Sequence, residues 1–372
     1  MNREITNTKD NKAAFGSMLK KIVRMNLFIP IACLAAVFVF NAFTNPDFFS
    51  IVYKVNSNGD GLLAGNLISV LNNASELVIL AIGMTFITSA SRGQDISVGA
   101  CIAIAGAVIL AVVADNMAYY QESGIRLIPV VLLGCLVAMA FGAFNGTLVA
   151  VFNVQPMIAT LILFTAGRPI SSWITGGLSP RVNVPALNAV GNVIPGMPIP
   201  TPIFFAVGCM LIAFLALKFT NIGLYTQTVG INEKSAKLIG LNPKMIKFIT
   251  FVIMGVCVGI AAFLKVSRVG SIQYNYIAKD IEMDAILAVA LGGNALSGGK
   301  FSLAGSIIGA YTIQALTTTL LANSVPSDAL PAYKAVVIII LVAIQAPVVK
   351  EFARRNWSAF RRRREPSGKV VS

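Results

Sequence analysis

Asp95 is the residue in this chain best placed to do chemistry, because it is a carboxylate between two long apolar runs, in Arg92-Gly93-Gln94-Asp95-Ile96-Ser97-Val98-Gly99. A charged group at membrane depth costs about 3 kcal/mol on insertion scales, so something must satisfy it. Two roles are open to it. Asp95 or Ser97 can cap the helix that starts at Val98, with Arg92 as a local ion partner. Alternatively the side chain also lines the way of a solute, since intramembrane carboxylates mark such paths. Gln94 and Ser97 flank it, and Asn145, Thr160 and Arg168 add polar groups in later apolar runs. Each of these can bond a neighbouring helix or a solute hydroxyl. Glu76, near the end of its run, is expected to be wetted at the interface and to have no special role.

Nucleophilic and metal chemistry have little to work with. Histidine is absent, which removes the commonest general base and the commonest metal ligand. Cys33, Cys101, Cys135, Cys209 and Cys257 each fall in an apolar run without CxxC spacing, so they read as small hydrophobes. Leu296-Ser297-Gly298-Gly299-Lys300 imitates a phosphate loop, but Asn294 stands five residues before Gly299 and Phe301 follows the lysine. A true loop needs glycine and Ser or Thr there. No base and nucleophile pair remains for an intramembrane enzyme, and no cofactor or metal is expected.

The elements that position these residues are membrane helices. Hydrophobic residues make up 56% of the chain and charged residues only 12%, about half the charged share of a soluble domain. Of the 29 Lys and Arg residues, 19 fall in three segments: six in 1–26, five in 218–247 and eight in 350–372. Short loops that keep Lys and Arg stay cytoplasmic, so these three segments share that side and both termini are cytoplasmic. The net charge of +14 is the excess that a bilayer protein collects from its inner loops, and the location expected is the cytoplasmic (inner) membrane. Nucleic-acid binding is excluded, because no basic stretch is interleaved with stacking aromatics in a soluble domain.

Ten runs qualify as spans, at 27–43, 71–90, 98–114, 127–152, 156–174, 202–219, 248–266, 283–295, 303–321 and 332–349. An even number agrees with both ends on one side. The first run follows a charged stretch without a cleavage pattern and is expected to be a retained span. This divides the chain into a cytoplasmic tail at 1–26, a permease-like domain at 27–349 with an inner loop at 218–247, and a basic tail at 350–372. The fold expected is all-α and polytopic, with about ten transmembrane helices.

Two breaks interrupt it, at 92–97 and near Leu296 to Lys300, in comparable places of the two halves, which reads as a weak internal repeat. Non-helical backbone at membrane depth survives only where protein or a water-filled cavity satisfies it. The glycine pairs Gly142/Gly146, Gly255/Gly259 and Gly305/Gly309 permit close helix packing, within one subunit or along a dimer seam. The loop at 175–201 holds five prolines and is expected to be extended or turning, as a linker or a docking surface. In the inner loop, Gly230-Ile231-Asn232 through Ser235-Ala236 to Gly240 has a cap, a short helical run and a glycine stop. A plain amphipathic surface helix would look the same.

Three segments together resemble the permease subunit of the ribose-type ATP-binding-cassette sugar importers. The first is Gly83-Met84-Thr85 leading to Gly93-Gln94-Asp95-Ile96-Ser97-Val98-Gly99, similar to that family's GMT followed by GIDLSVG. The second is Asn145-Gly146 continuing to Thr160-Leu161; the third runs from Gly230-Ile231-Asn232 to Asp284-Ala285-Ile286-Leu287-Ala288-Val289, Gly298-Gly299 and Lys334. Within the family, 159–163 with Ala166-Gly167-Arg168 look closest to galactofuranose permeases. Gln94 replaces a usually apolar residue and Arg92 a small one, so this break is more polar than the motif it resembles.

The resemblance implies an importer permease without its own ATPase site. Separate ATP-binding cassette subunits would engage Gly230, Asn232, Ser235, Ala236 and Gly240 as a coupling helix. An extracytoplasmic binding protein would deliver a sugar, and a second permease copy or paralogue would complete the pore. Asp95, Gln94, Ser97, Asn145, Thr160 and Arg168 are the candidate path residues. Arg361 to Arg364 with Trp357 would anchor the tail to anionic lipid. A nucleoside permease and, as a different class, an ion-coupled carrier are the rivals; Asp95 is the one deep carboxylate expected for a relay.

Overall fold

The computed structural model describes residues 27–55, 61–114, 127–182, 184–194 and 196–345. The two basic tails, with Trp357 and the four-arginine run, lie outside the described residues. Every expected span has a helix: α1 (Phe28–Thr44), α2 (Asn66–Ser91), α3 (Val98–Val113), α4 (Leu127–Ala150), α5 (Pro156–Ile174), α7 (Thr201–Phe219), α10 (Pro243–Val269), α11 (Ile281–Leu291), α12 (Leu303–Ala322) and α13 (Leu330–Gln345). Three short helices were not expected as separate elements or, for the third, were expected only in outline: α6 (Pro185–Gly191), α8 (Ile222–Ile231) and α9 (Glu233–Leu238). Among the described residues, five helices (α2, α4, α5, α7 and α10) are each long and apolar enough to cross a bilayer. The chain is an all-α, multi-pass membrane protein, relieved by one antiparallel hairpin, β1 (Val52–Val55) with β2 (Gly61–Ala64).

α2 is the axle of the bundle. It is buried without interruption from Ala74 to Ser91, and it packs against α7, α8, α10, α11 and α12. A helix apolar on every face belongs inside. Three of its hydroxyls are satisfied locally, because Ser75, Thr85 and Ser91 donate to the carbonyls of Leu71, Ala81 and Ile87 one turn back, whereas Thr88 Oγ1 and Ser89 Oγ are buried without a hydrogen bond. The glycine pairs bring helices together within one chain. A Cβ on Gly142 would lie 2.5 Å from the Phe251 carbonyl oxygen, one on Gly259 2.6 Å from Cys135 Cα, and one on Gly309 2.0 Å from the Ala288 carbonyl oxygen. Small residues here substitute for the hydrophobic drive that lipid does not supply.

Successive helices place the segments 92–97, 151–155, 220–242 and 292–302 at one end, which we call the break end. The opposite end carries 45–55, 61–65, 175–182, 184–194, 196–200, 270–280 and 323–329 and is the cap end. The proline-rich loop at the cap end is not extended. Pro185 starts α6 at its first turn, where a missing N–H costs nothing, and Val182, Val184 and Leu187 are buried in a core cluster with Phe263 and Val266. Val182 N–H donates to the Gly270 carbonyl at 2.8 Å, and Leu63 N–H to that of Pro198 at 2.8 Å, so loop and hairpin form one lid.

Candidate functional site

The first break closes around Asp95. Arg92 ends α2 in the left-handed region at φ 57, which turns the chain towards α3. The buried Asp95 Oδ1 accepts from Ser97 N–H at 2.8 Å and from Ser97 Oγ at 2.6 Å. Asn145 Nδ2, from α4, donates to Ser97 Oγ at 3.0 Å, and Ile96 N–H donates to Thr160 Oγ1, on α5, at 3.2 Å. Asp95, Ser97, Asn145 and Thr160 thus meet at one point, where three helix ends are pinned. Asp95 shapes the start of α3 through the backbone of Ser97, whereas the Ser97 side chain makes no cap bond of its own.

The ion pair expected between Arg92 and Asp95 does not form. Arg92 points the other way: its Nε donates to the Gly230 carbonyl and its Nη2 to the Ile231 carbonyl, each at 2.6 Å. The last carbonyls of α8 have no partner inside their own helix and carry the negative end of its dipole, which draws the guanidinium.

The two breaks are bonded to each other. Gln94 Nε2 donates to the Leu296 carbonyl at 3.0 Å, and Gly299 N–H donates to the Ser89 carbonyl at 3.1 Å. Asn294 holds the second break open as a defined turn. Its Oδ1 accepts from Ser302 N–H at 2.6 Å and its Nδ2 donates to Ser306 Oγ at 2.8 Å, which is in turn hydrogen-bonded to Thr85 Oγ1 at 2.6 Å.

Beside this junction stands the loop helix α9. Asn232 Oδ1 accepts from Lys234 N–H at 3.0 Å and Ser235 N–H at 3.2 Å, satisfying donors that a helix start leaves orphaned. Ala236 is the buried residue of α9, and Gly240 stops the segment at φ 83. Glu233 pairs with Lys247 of α10, steadying the short helix. Leu238 and Ile239 at its tip are 88% and 68% exposed, an apolar contact surface at the end of the bundle. Gly230 fits tightly behind it: a Cβ there would lie 1.8 Å from the Ser89 carbonyl oxygen and 2.7 Å from Gly299 N.

Arg168 does not join Asp95. It sits eight residues beyond Thr160 on α5, about 12 Å along the axis, and its Nη1 donates to the Tyr274 carbonyl at 2.8 Å. There it anchors the 270–280 segment at the cap end.

Sequence reasoning missed a second polar region at that end. A cavity of about 350 Å³ lies among α2, α10, α11 and α12, lined by Asn73, Glu76, Lys265, Arg268, Asp284 and Gln314 among others. Glu76 is only 2% exposed and is not wetted at an interface; Lys265 Nζ lies 2.9 Å from its Oε2 and Arg268 Nη2 3.3 Å from its Oε1. Asp284 pairs with Lys334 Nζ at 2.8 Å. Asp95 is therefore not the single deep carboxylate, since Glu76 and Glu282 are buried as well. The clue was charge placed inside apolar runs, Glu76 in one and Lys265 in another, with Arg268 two residues beyond the end of the second. From Leu77 to Thr85 on α2 and from Gln314 to Ser306 on α12 is about 12 Å, and Leu80, Ala81, Ala310 and Ile313 fill that stretch, all fully buried. An apolar plug separates the cavity from the break junction.

Comparison with known proteins places this arrangement among transport subunits. The family described as branched-chain amino acid transport system / permease component matches residues 66–345. The galactofuranose transporter permease protein of Escherichia coli (strain K12) is 35% identical over 319 residues, 85% of this chain and 88% of that protein. The fructose import permease protein of Bifidobacterium longum is 33% identical over 344 residues, 91% and 92% of the two chains. The ribose import permease protein of Haemophilus influenzae is 32% identical over 331 residues, 86% and 92%.

Proposed function

This chain belongs to the branched-chain amino acid transport system / permease component family, and on that premise we propose that it is the membrane permease subunit of an ATP-driven sugar importer. Relatives named for galactofuranose, fructose and ribose point to a pentose or hexose cargo, with a galactofuranose-like sugar first. The permease domain is 27–349, in the inner membrane, with the tails at 1–26 and 350–372 and the break end facing the cytoplasm. The net charge of +14 concentrated in the tails and the 218–247 loop supports that orientation.

The observation that carries the reading is α9. It is a capped helix with an apolar tip, at the end of the bundle, backed through Gly230 onto both breaks. That is the form of a lever worked from outside the chain. ATP is bound and hydrolysed on partner subunits that receive α9 in a cleft. An external binding protein delivers sugar at the cap end, where the hairpin and α6 form the lid, and a second permease completes the transporter.

The cavity receives the sugar. Its ion-paired carboxylates, ammonium groups and guanidinium offer donors and acceptors to hydroxyls, while Leu80, Ala81, Ala310 and Ile313, in the core beyond its lining, make an apolar floor. Movement of α9 would shift the breaks and open that floor past Gln94. Asp95, Ser97, Asn145 and Thr160 frame the break, with Gln94 bonded to the second break at Leu296; Arg168 holds the cap end.

Co-purification tests this reading. Expression beside its ATPase and binding-protein candidates should yield a complex whose ATP turnover rises with sugar-loaded binding protein. A chain that never retains an ATPase, yet accumulates sugar on an ion gradient, would be a secondary carrier.

A further inference from the structure

The meeting of three backbones at the break end asks how a push on α9 reaches two helix breaks. α8 ends at Ile231, one residue before the Asn232 cap of α9. Its carbonyls at Gly230 and Ile231 are held by the Nε and Nη2 of the single guanidinium of Arg92, both at 2.6 Å. Arg92 is itself the residue that ends α2, at φ 57. One cation therefore sits at the negative ends of two helices.

The second break is locked into the same contact. A Cβ on Gly298 would lie 2.6 Å from Arg92 Cγ, so the arginine stem lies against that glycine's backbone. A Cβ on Gly299 would lie 2.8 Å from Ile231 Cγ1, and Gly299 N–H is bonded to the Ser89 carbonyl. Only the inner atoms of the Arg92 and Ile231 side chains, next to their own backbone, stand between these segments, which leaves little slack to absorb a displacement. A lone point donor would let α8 pivot, whereas a planar fork bonded to two successive carbonyls resists rotation.

We infer that Arg92 is a positioning residue that carries motion of the α8–α9 segment into both helix breaks at once, by clamping the terminal carbonyls of α8 to the end of α2. The inference rests on the importer reading. Ser91, the neighbour of Arg92, ends the helix that lines the cavity, so the clamp joins the ATPase-facing lever to the element that runs the full depth of the bundle. Gln94, two residues on, extends the same linkage to Leu296.

The test is sugar uptake per ATP hydrolysed, in proteoliposomes holding the complete complex with its binding protein. Arg92→Gln should lower that ratio about tenfold while stimulated hydrolysis stays within about twofold of the unmodified complex. Arg92→Lys should fall between, because an ammonium reaches one carbonyl but does not reproduce the fork. An unchanged ratio in both variants overturns the clamp and leaves the importer reading standing. Failure of the unmodified chain to engage any ATPase overturns the importer reading instead. Should Arg92→Gln fail to assemble, the native arginine is tested with spin labels on unnatural amino acids at positions 224 and 297. Their separation should be the same in nucleotide-free and ATP-trapped complexes; a change of a helical turn, about 5 Å, overturns the clamp.

Discussion

The cap-end cavity and the break-end junction are both polar islands in an apolar bundle, but they satisfy their polar groups in opposite ways. Around the cavity, charges from helices far apart in sequence pair side chain to side chain: Glu76 with Lys265 and Arg268, Asp284 with Lys334. At the junction, side chains bond mostly to backbone, as Arg92 does to Gly230 and Ile231 and Gln94 to Leu296. Side-chain pairs around an open volume can trade partners with an arriving hydroxyl. Side chains fastened to backbone cannot do so without moving a helix. The first arrangement suits reception of a solute and the second transmission of force.

The contrast is broken most severely at Gly230. Gly230→Val would drive a branched side chain into the Ser89 carbonyl oxygen and Gly299 N, with no flexible neighbour to give way. Uptake should vanish and stability fall by more than about 4 kcal/mol, read as a large drop in the unfolding midpoint in detergent. Gly208→Ala on α7, where a Cβ meets nothing within 4 Å, should leave both unchanged.

Glu76→Ala tests the other island. It removes the carboxylate from Lys265 and Arg268, of which Arg268 keeps Asn72 and Asn73 and both are partly open to the cavity, so the loss is about 1–3 kcal/mol. Thermal unfolding should show that loss, with uptake reduced and α9 still able to stimulate hydrolysis in the complex. Equal loss of stimulated ATPase and uptake would erase the distinction between the two ends.

Asp95 should give the smallest effect and the sharpest reading. Asp95→Asn keeps an oxygen that accepts from Ser97 N–H and Oγ, so stability should change by about 1 kcal/mol and import should survive. Asp95→Leu leaves both Ser97 donors unmet and should lose import. Loss of import in Asp95→Asn would instead assign the charge itself to the solute path.

Much of this was legible in the chain, for reasons that differ residue by residue. Apolar runs in lipid can only be helices, so the positions of the ten helices matching those runs followed from hydropathy, even for the eleven-residue α11. The Asn232 cap and the Gly240 stop are local signals, decided within one turn. The residue types from Asn56 to Asp60, between Tyr53-Lys54-Val55 and Leu62-Leu63, were a readable hairpin signal in the sequence that the reading for spans passed over. Proline density at 175–201 suggested an extended or turning loop, and the buried Val182, Val184 and Leu187 decided the outcome, since proline at a first turn starts a helix as readily as it prevents one.

What stayed hidden was pairing at a distance. Glu76 and Lys265 are 189 residues apart, and Arg92 and Gly230 are 138 apart. Nothing local told Arg92 to prefer helix-end carbonyls over the carboxylate three residues on. That choice is made by packing, once α8 is laid across the break by glycines that let backbones touch.

The division of labour between the two ends is tested most directly by sugar accumulation in proteoliposomes, with the chain alone and with its ATPase and binding protein. Uphill accumulation should require ATP and the full complex, and the chain alone should accumulate nothing under a proton or sodium gradient. Accumulation against a gradient by the chain alone would contradict the account.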